Sequence, residues 1–258
     1  RALGMTRDAA RIEAEGLAYR RDIVQSMDRA VIQQDGLRIL PVMPDTHKYL
    51  KRAAYKAHTD APPGQGYTGH GYYSLFSCIL LETKFLPADE GRFRLITEVL
   101  ERRKGLLMSM CAFGPEGGID HAFTYGYWMN CLERNRVEPV LHGFYGSLAY
   151  GMSRDTWAGV ELTNMHTGAN AATLPHLRSG VQQMRLLRNM LLREQGNELI
   201  LAQAVPQHWL HHGKQVRVEN APTLFGKAGY AIDSHVGEGR IRVAIDAPTG
   251  RNRPDALK

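Results

Sequence analysis

The sequence predicts an α+β protein of two domains, a long helical segment followed by a smaller antiparallel β region. Two observations support this prediction. Up to about residue 195, apolar residues recur at helical spacing in one segment after another. From residue 196 onward, short stretches of alternating polar and apolar residues are separated by Gly and Pro, as in strands joined by tight turns. We therefore predict a helical domain over 1–195 and a β-sandwich domain over 196–258.

The helical domain is expected to hold six helices, which apolar periodicity and terminal signals locate approximately. They are predicted near residues 7–31, 72–86, 92–103, 122–134 and 139–152, and from residue 175 onward. The segment 72–86 is apolar on most sides and should be buried all round. Trp128 lies inside a helix, where packing in the core is its expected role.

Connection lengths predict how these helices are arranged. The links 86–90 and 136–139 are short, so the helices on either side should form antiparallel hairpins. The connections 58–71, 105–121 and 153–174 are long and rich in Gly, His and acids. Antiparallel alternation would place all three at the same end of the bundle. Because long loops on a helical scaffold usually carry function, we expect the functional site there.

The β region is predicted to contain four strands and an aromatic anchor at its start. The strands are expected near residues 199–203, 215–220, 228–234 and 240–246. Trp209 follows Pro206 directly after the first strand, and it should be largely buried between the last helix and the sheets.

Composition excludes several classes of protein. Apolar residues make up 43% of the chain and the formal net charge is +6. The sequence has no run of 18 apolar residues, so no membrane span is predicted. It also has no basic stripe interleaved with aromatic residues, so no nucleic-acid partner is predicted. The three cysteines lack metal spacing and should be buried thiols, and the cluster 208–212, "HWLHH", is not expected to bind a metal. No Lys-Ser/Thr phosphate loop is present, so no cofactor is predicted.

The first and last residues predict that the chain is a piece of a longer protein. It starts with Arg rather than Met, and it ends just after a predicted strand. The remainder of that chain is then its expected partner. A secreted or periplasmic location is expected if a leader peptide precedes residue 1.

Three stretches carry a resemblance to a known family. They are "HGFYGSLAYGMSRDTWAGVE" at 142–161, "TLPHLRSGVQQMRLLRNMLLRE" at 173–194 and "LILAQAVPQHWLHHGKQVRVENAPTLFG" at 199–226. With the helical hairpins, they resemble the (α/α)6-toroid, or six-hairpin, glycoside hydrolases with an appended β-sandwich. The resemblance implies a carbohydrate substrate and hydrolysis of a glycosidic bond. The chain departs from a complete member in holding fewer helices and a shorter sandwich.

Three acids in the long connections are candidates for the two carboxyl groups that glycoside hydrolysis needs. Glu161 is flanked by apolar residues and is the expected proton donor, unless it forms a buried ion pair with an arginine. Asp120 precedes a predicted helix and could instead serve as its N-cap. Glu116 lies in "GPEGG" and could be a solvated turn residue.

Aromatic, imidazole and amide side chains near these acids are candidates for binding a sugar. Flat aromatic faces stack on sugar rings, and imidazoles and amides hydrogen-bond hydroxyl groups. The expected substrate-binding residues are Trp157, Tyr67, His70, His121, Asn164 and His166.

Two other functions remain open at this point. A polysaccharide lyase acting on a uronate would need a Tyr or His base and a nearby cation, for which His121 with Tyr125 and the excess of arginine are available. A non-catalytic carbohydrate-binding protein would need only the aromatic side chains that stack on a sugar ring and the side chains that hydrogen-bond its hydroxyl groups.

Overall fold

The computed structural model describes residues 4–42, 46–50, 66–113, 117–171, 173–249 and 252–258, with the backbone alone at 46–50, 66–72 and 171. The helices in these ranges are α1 (Thr6–Ala30), α2 (His70–Glu82), α3 (Gly91–Arg102), α4 (Tyr125–Glu133), α5 (Glu138–Tyr150) and α6 (Leu177–Leu191). Every predicted helix is therefore present to within a few residues. None of the described helices is long and apolar enough to cross a bilayer.

The strands in the described ranges form five sheets, and most of them are short, whereas β12, β13 and β14 have nine, ten and seven residues. The first nine are β1 (Ile32–Gln34), β2 (Leu37–Ile39), β3 (Thr46–Leu50), β4 (Gly66–Gly69), β5 (Leu106–Leu107), β6 (Met110–Ala112), β7 (Gly118–Asp120), β8 (Leu162–Asn164) and β9 (Asn170–Ala171). The last six are β10 (Leu192–Gln195), β11 (Glu198–Leu201), β12 (Gln215–Thr223), β13 (Gly226–His235), β14 (Arg240–Asp246) and β15 (Ala256–Leu257). The sheets, in strand order, are β1-β2, β3-β4, β5-β6-β7-β8-β9, β10-β11-β15 and β12-β13-β14.

The predicted toroid, and with it the resemblance to the six-hairpin glycoside hydrolases, is wrong. A toroid of helical hairpins needs about 12 helices, and the described part of the chain has 6, together with several small sheets. The fold class, an α/α-toroid segment followed by a β-sandwich, is therefore corrected to six helices combined with small, mostly antiparallel sheets. The physical reason lies in two long connections that pair with each other as strands instead of capping helical hairpins.

That pairing brings two of the three long connections together, as predicted. Strand β7, from the connection 105–121, pairs antiparallel with β8, from the connection 153–174, and Gly118 lies opposite Asn164. Strands β5, β6 and β9 complete the sheet. The third connection, 58–71, lies mostly outside the described residues.

The main core lies among α2, α3, α4 and the five-stranded sheet. Trp128 is buried there, as predicted, and its indole Nε1 donates to the carbonyl oxygen of Ser109 at 2.7 Å. Helices α2 and α4 cross closely at Gly126, where a Cβ would overlap the backbone of Cys78 and Glu82. The three cysteines are free and buried, as predicted.

The junction with the C-terminal sheets centres on Trp209. Its ring contacts both the main core and the cluster formed by Val216, Tyr230 and Ile232. It packs edge-on against Phe144, with ring centroids 6.3 Å apart. The indole is thus at the predicted junction but is half-buried rather than largely buried.

Helix α6 buries a polar face and exposes apolar residues in its N-terminal half. Ser179, Gln182 and Gln183 are buried, whereas Leu177 and Met184 are exposed. Burial of the polar face is possible because its groups are paired. Ser179 Oγ donates to a backbone carbonyl at 2.8 Å, and Gln183 Oε1 accepts from a serine hydroxyl at 2.6 Å. The exposed Leu177 and Met184 line a groove on the surface.

Candidate functional site

Asp120 is the last residue of β7, where the sheet meets the N-terminus of α4. Its side chain is only 1% exposed. Carboxylate Oδ1 accepts from the backbone N–H of Phe123 at 3.3 Å, two residues before α4 begins. The side chain of Thr124 fixes the same turn, because Oγ1 donates to the Asp120 carbonyl oxygen at 3.0 Å and accepts from Cys111 N at 2.8 Å. Asp120 thus has part of the capping geometry considered for it.

The environment of Asp120 keeps its carboxyl group protonated far above the usual pH range. The pKa of Asp120 is raised from 3.8 to about 7, and burial is the largest cause. The negative charge of Glu161 contributes to the rise, whereas the hydrogen bonds from the backbone of Phe123 and Ala122 and the positive charge of Arg178 oppose it. Near neutral pH, Asp120 can therefore either give or accept a proton.

Glu161 lies immediately before β8 and is half-buried. A reciprocal contact with Thr173 holds it in place. Glu161 N donates to the Thr173 carbonyl oxygen at 3.2 Å, and Thr173 N donates to Glu161 Oε2 at 3.2 Å. Within the described ranges, no arginine lies at ion-pair distance from Glu161, so the buried ion pair considered for it is not found there. The sheet thus brings Glu161 and Asp120 close enough for their charges to interact.

Two arginines of α6 share the carboxylate of Glu82, and the charge of one of them, Arg178, acts on Asp120. The guanidinium of Arg178 lies 4.4 Å from the ring centroid of Phe123, and its Nη2 donates to Glu82 Oε2 at 3.2 Å. Arg185 lies 4.0 Å from the ring centroid of Tyr125 and donates to Glu82 Oε1 at 2.7 Å. The sequence places both arginines on one helix, but it does not show that they share Glu82.

His121 fixes the sheet instead of facing solvent. Its ring is 1% exposed, and Nε2 lies 2.7 Å from the carbonyl oxygen of Val160. Burial lowers the pKa of His121, so the imidazole is neutral and its Nε2–H donates to this carbonyl. The ring packs where a Cβ on Gly151 would lie. His121 follows Asp120 and Val160 precedes Glu161. Their hydrogen bond therefore links the two segments that carry the acids.

Asn164 and His166 shape the turn between β8 and β9. The side-chain Oδ1 of Asn164 accepts from His166 N at 3.0 Å and from Thr167 N at 3.1 Å. His166 is exposed, and its ring lies against Gly117, just before β7. The two residues thus lie at the opposite end of the β7–β8 pair from Asp120 and Glu161.

Three predicted site residues cannot be placed beside these groups. Glu116 lies outside the described residues. Tyr67 lies in β4 and His70 is the first residue of α2, but their side chains are outside the described part of the structure.

Trp157 stands at the tip of the turn closed by the bridge between Met152 and Gly159, and it is 63% exposed. Its backbone is left-handed, with φ of 55°, and its N–H donates to the Ser153 carbonyl oxygen at 3.1 Å. The indole lines a groove of about 560 Å³ with mostly apolar walls. Other residues of this groove are Leu148, Met152, His176, Leu177, Val181 and Met184. Trp157 lies in the same connection as Glu161, but neither Glu161 nor Asp120 lines the groove.

Groups that could hold a metal are not found in the described part of the chain, where no three His, Cys, Asp or Glu side chains form a suitable cluster. In the segment 208–212, the His208 ring instead lies 3.1 Å from the Tyr145 hydroxyl oxygen.

Comparison with known protein families, with characterised proteins and with solved structures gives no match to this chain.

Proposed function

We propose that the protein hydrolyses glycosidic bonds in an oligo- or polysaccharide, with Asp120 as general acid and Glu161 as the second carboxylate. The observation that carries the proposal is a buried Asp120, whose pKa is raised to about 7, next to the charge of a half-exposed Glu161. Glycoside hydrolysis requires two carboxyl groups whose environments suit different roles, one as acid and the other as base or nucleophile.

The chemistry assigns a different role to each group. Protonated Asp120 gives its proton to the glycosidic oxygen as the bond from that oxygen to the anomeric carbon breaks. Ionised Glu161 either takes a proton from the attacking water or bonds to the anomeric carbon directly. The raised pKa favours Asp120 as the donor, in place of the Glu161 donor expected from the sequence. Trp157 is suited to stack on a neighbouring sugar ring.

A specific observation favours carbohydrate binding without turnover as the second candidate. Asp120 is 1% exposed, so a glycosidic oxygen reaches it only if the residues packed around its side chain move apart. Trp157 needs no such opening to meet a ligand. The lyase alternative is less well supported, because burial raises the pKa of Tyr125 and so favours its neutral phenol over the phenolate that a base requires.

The test is the release of reducing ends from a panel of neutral and acidic oligosaccharides by the unaltered chain, Asp120→Asn and Glu161→Gln. Each substitution should lower turnover by about 10²–10⁴-fold, as expected for loss of an acid or base. Asp155→Asn, which removes an exposed carboxyl from the turn bearing Trp157, is the matched control and should keep full activity.

Two results would contradict hydrolysis, and a third would contradict the role of Asp120. Binding without any new reducing ends would favour the second candidate. A product with ultraviolet absorbance from a new double bond would identify a lyase. Full activity in Asp120→Asn would remove Asp120 from the reaction.

A further inference from the structure

Strand β14 is the outer strand of the sheet β12-β13-β14. It pairs with β13 on one side, and no described strand pairs with its other side. All seven residues of β14 are exposed. An outer strand of this length presents a row of backbone donors and acceptors, and proteins usually protect such an edge with Pro, charged side chains or a bulge. The centre of β14, "IRVAI", has no Pro and no bulge, and Arg242 is its one charged residue.

The apolar residues of β14 continue a buried layer outward to this edge. Ile241, Val243 and Ile245 are 47%, 54% and 51% exposed. Their partners on β13 are Ser234, Ile232 and Tyr230, in that order, and all three are buried. Partners in register point to the same side of a sheet. Ile241, Val243 and Ile245 therefore form an apolar row at the edge of the buried face of this sheet, and about half of each side chain is exposed.

The sequence of β14 is complementary to itself when it is read antiparallel about Val243. In that register, Arg240 of one copy meets Asp246 of the other, and Ile241 meets Ile245. Val243 meets its own equivalent, and Arg242 meets Ala244 instead of another charge. Opposite charges and β-branched residues directly across from each other stabilise antiparallel pairs.

We propose that β14 pairs with β14 of a second copy of this chain, in antiparallel register centred on Val243. The two three-stranded sheets join into one of six strands, with a two-fold axis perpendicular to the sheet. This symmetry keeps both apolar rows on the same face and forms the Arg240–Asp246 pair twice.

The contacts within one copy are compatible with this pairing. Arg240 already contacts Glu238 at 2.6 Å, but both side chains are more than half exposed, so the guanidinium remains accessible at the end of the strand. Arg242 lies opposite Asp233 on β13, which offsets its charge near the axis. An unrelated apolar partner would cover the same row but would not depend on both Arg240 and Asp246, which distinguishes it from a second copy.

The experiment is sedimentation equilibrium of the full chain over a concentration series, with circular dichroism to check the fold of each variant. The unaltered chain should dimerise. Arg240→Asp and Asp246→Arg should each raise the dimer dissociation constant by about tenfold or more at low salt, because each places two pairs of like charges opposite each other.

Mixing those two variants should restore the dimer, because the new aspartate of one then meets the new arginine of the other, and the native partners also remain paired. Val243→Lys should dissociate the dimer by placing two ammonium groups together at the axis, whereas Val243→Thr, which keeps the β-branched shape, should retain it. A monomeric unaltered chain, a dimer that survives Val243→Lys, or a mixture that stays monomeric would each overturn the proposal.

Discussion

Replacing Asp120 with Asn should change how the stability of the protein depends on pH. The carboxyl is 1% exposed, and its pKa is about 7 in the folded chain against an ordinary 3.8. Between these two values the folded state holds a proton that the unfolded state has lost. The stabilising contribution of the protonated group is therefore complete below about pH 4, and it is lost as the pH rises to about 7.

The size of this loss follows from the two pKa values. A gap of about three pH units, at about 1.4 kcal/mol each, corresponds to about 4 kcal/mol over the whole window. About 2.5 kcal/mol of it falls between pH 5 and pH 8. Asn resembles the protonated carboxyl in shape and cannot ionise, so Asp120→Asn should gain stability relative to the unaltered chain by about that amount across the same interval.

Urea unfolding of both proteins at pH 5 and pH 8 measures this difference. Taking the difference also cancels most effects of other groups. Burial lowers the pKa of His121, for example, so its contribution to stability is present at high pH and is lost as the pH falls, in both proteins. Asp155→Asn, an exposed carboxyl, is the matched control. An Asp120→Asn variant that differs from the unaltered chain by the same free energy at both pH values would refute the buried, protonated carboxyl.

Further predictions concern packing. Gly126→Ala should lower the free energy of unfolding by about 3 kcal/mol or more in urea titrations, because the added methyl group would overlap the α2 backbone, which cannot rotate away. The control, Gly180→Ala, adds a methyl group in open space on α6 and should be neutral or stabilising. Equal effects of the two substitutions would contradict the α2–α4 crossing. Trp209→Ala should cost about 3 kcal/mol in the same assay, since the half-buried indole contacts two cores, and a neutral effect would contradict its anchoring role. The three buried thiols should react with a thiol reagent only after unfolding, and rapid labelling of the native chain would contradict their burial.

Local structure could be predicted from the sequence because its signals are local. Apolar periodicity predicts the six described helices. Stretches of alternating polar and apolar residues, bounded by Gly and Pro, predict β11 to β14. The arrangement of these elements could not be read in the same way. The pairing of β7 with β8 joins residues more than 40 positions apart, and neither strand exceeds three residues, too short for alternation to reveal.

The candidate site was partly predictable for the same reason. Asp120, Glu161 and Trp157 were identified from composition and from their place in long connections. Which carboxyl group is buried depends on the sheet and on α4, so the flanking apolar residues of Glu161 were a poor guide. The sequence predicts that His121 binds substrate, and it does not reveal the buried hydrogen bond to the carbonyl of Val160 because that residue is 39 positions away.

The most direct test of the central claim is the pH dependence of reducing-end release by the unaltered chain and by Asp120→Asn. If Asp120 donates the proton, the rate on the active oligosaccharide should fall on the alkaline side with a midpoint near the pKa of about 7. Asp120→Asn should lose about 10²–10⁴-fold in rate together with that alkaline limb. A chain that releases no reducing ends from any substrate, or a variant with the rate and pH profile of the unaltered chain, would contradict the account.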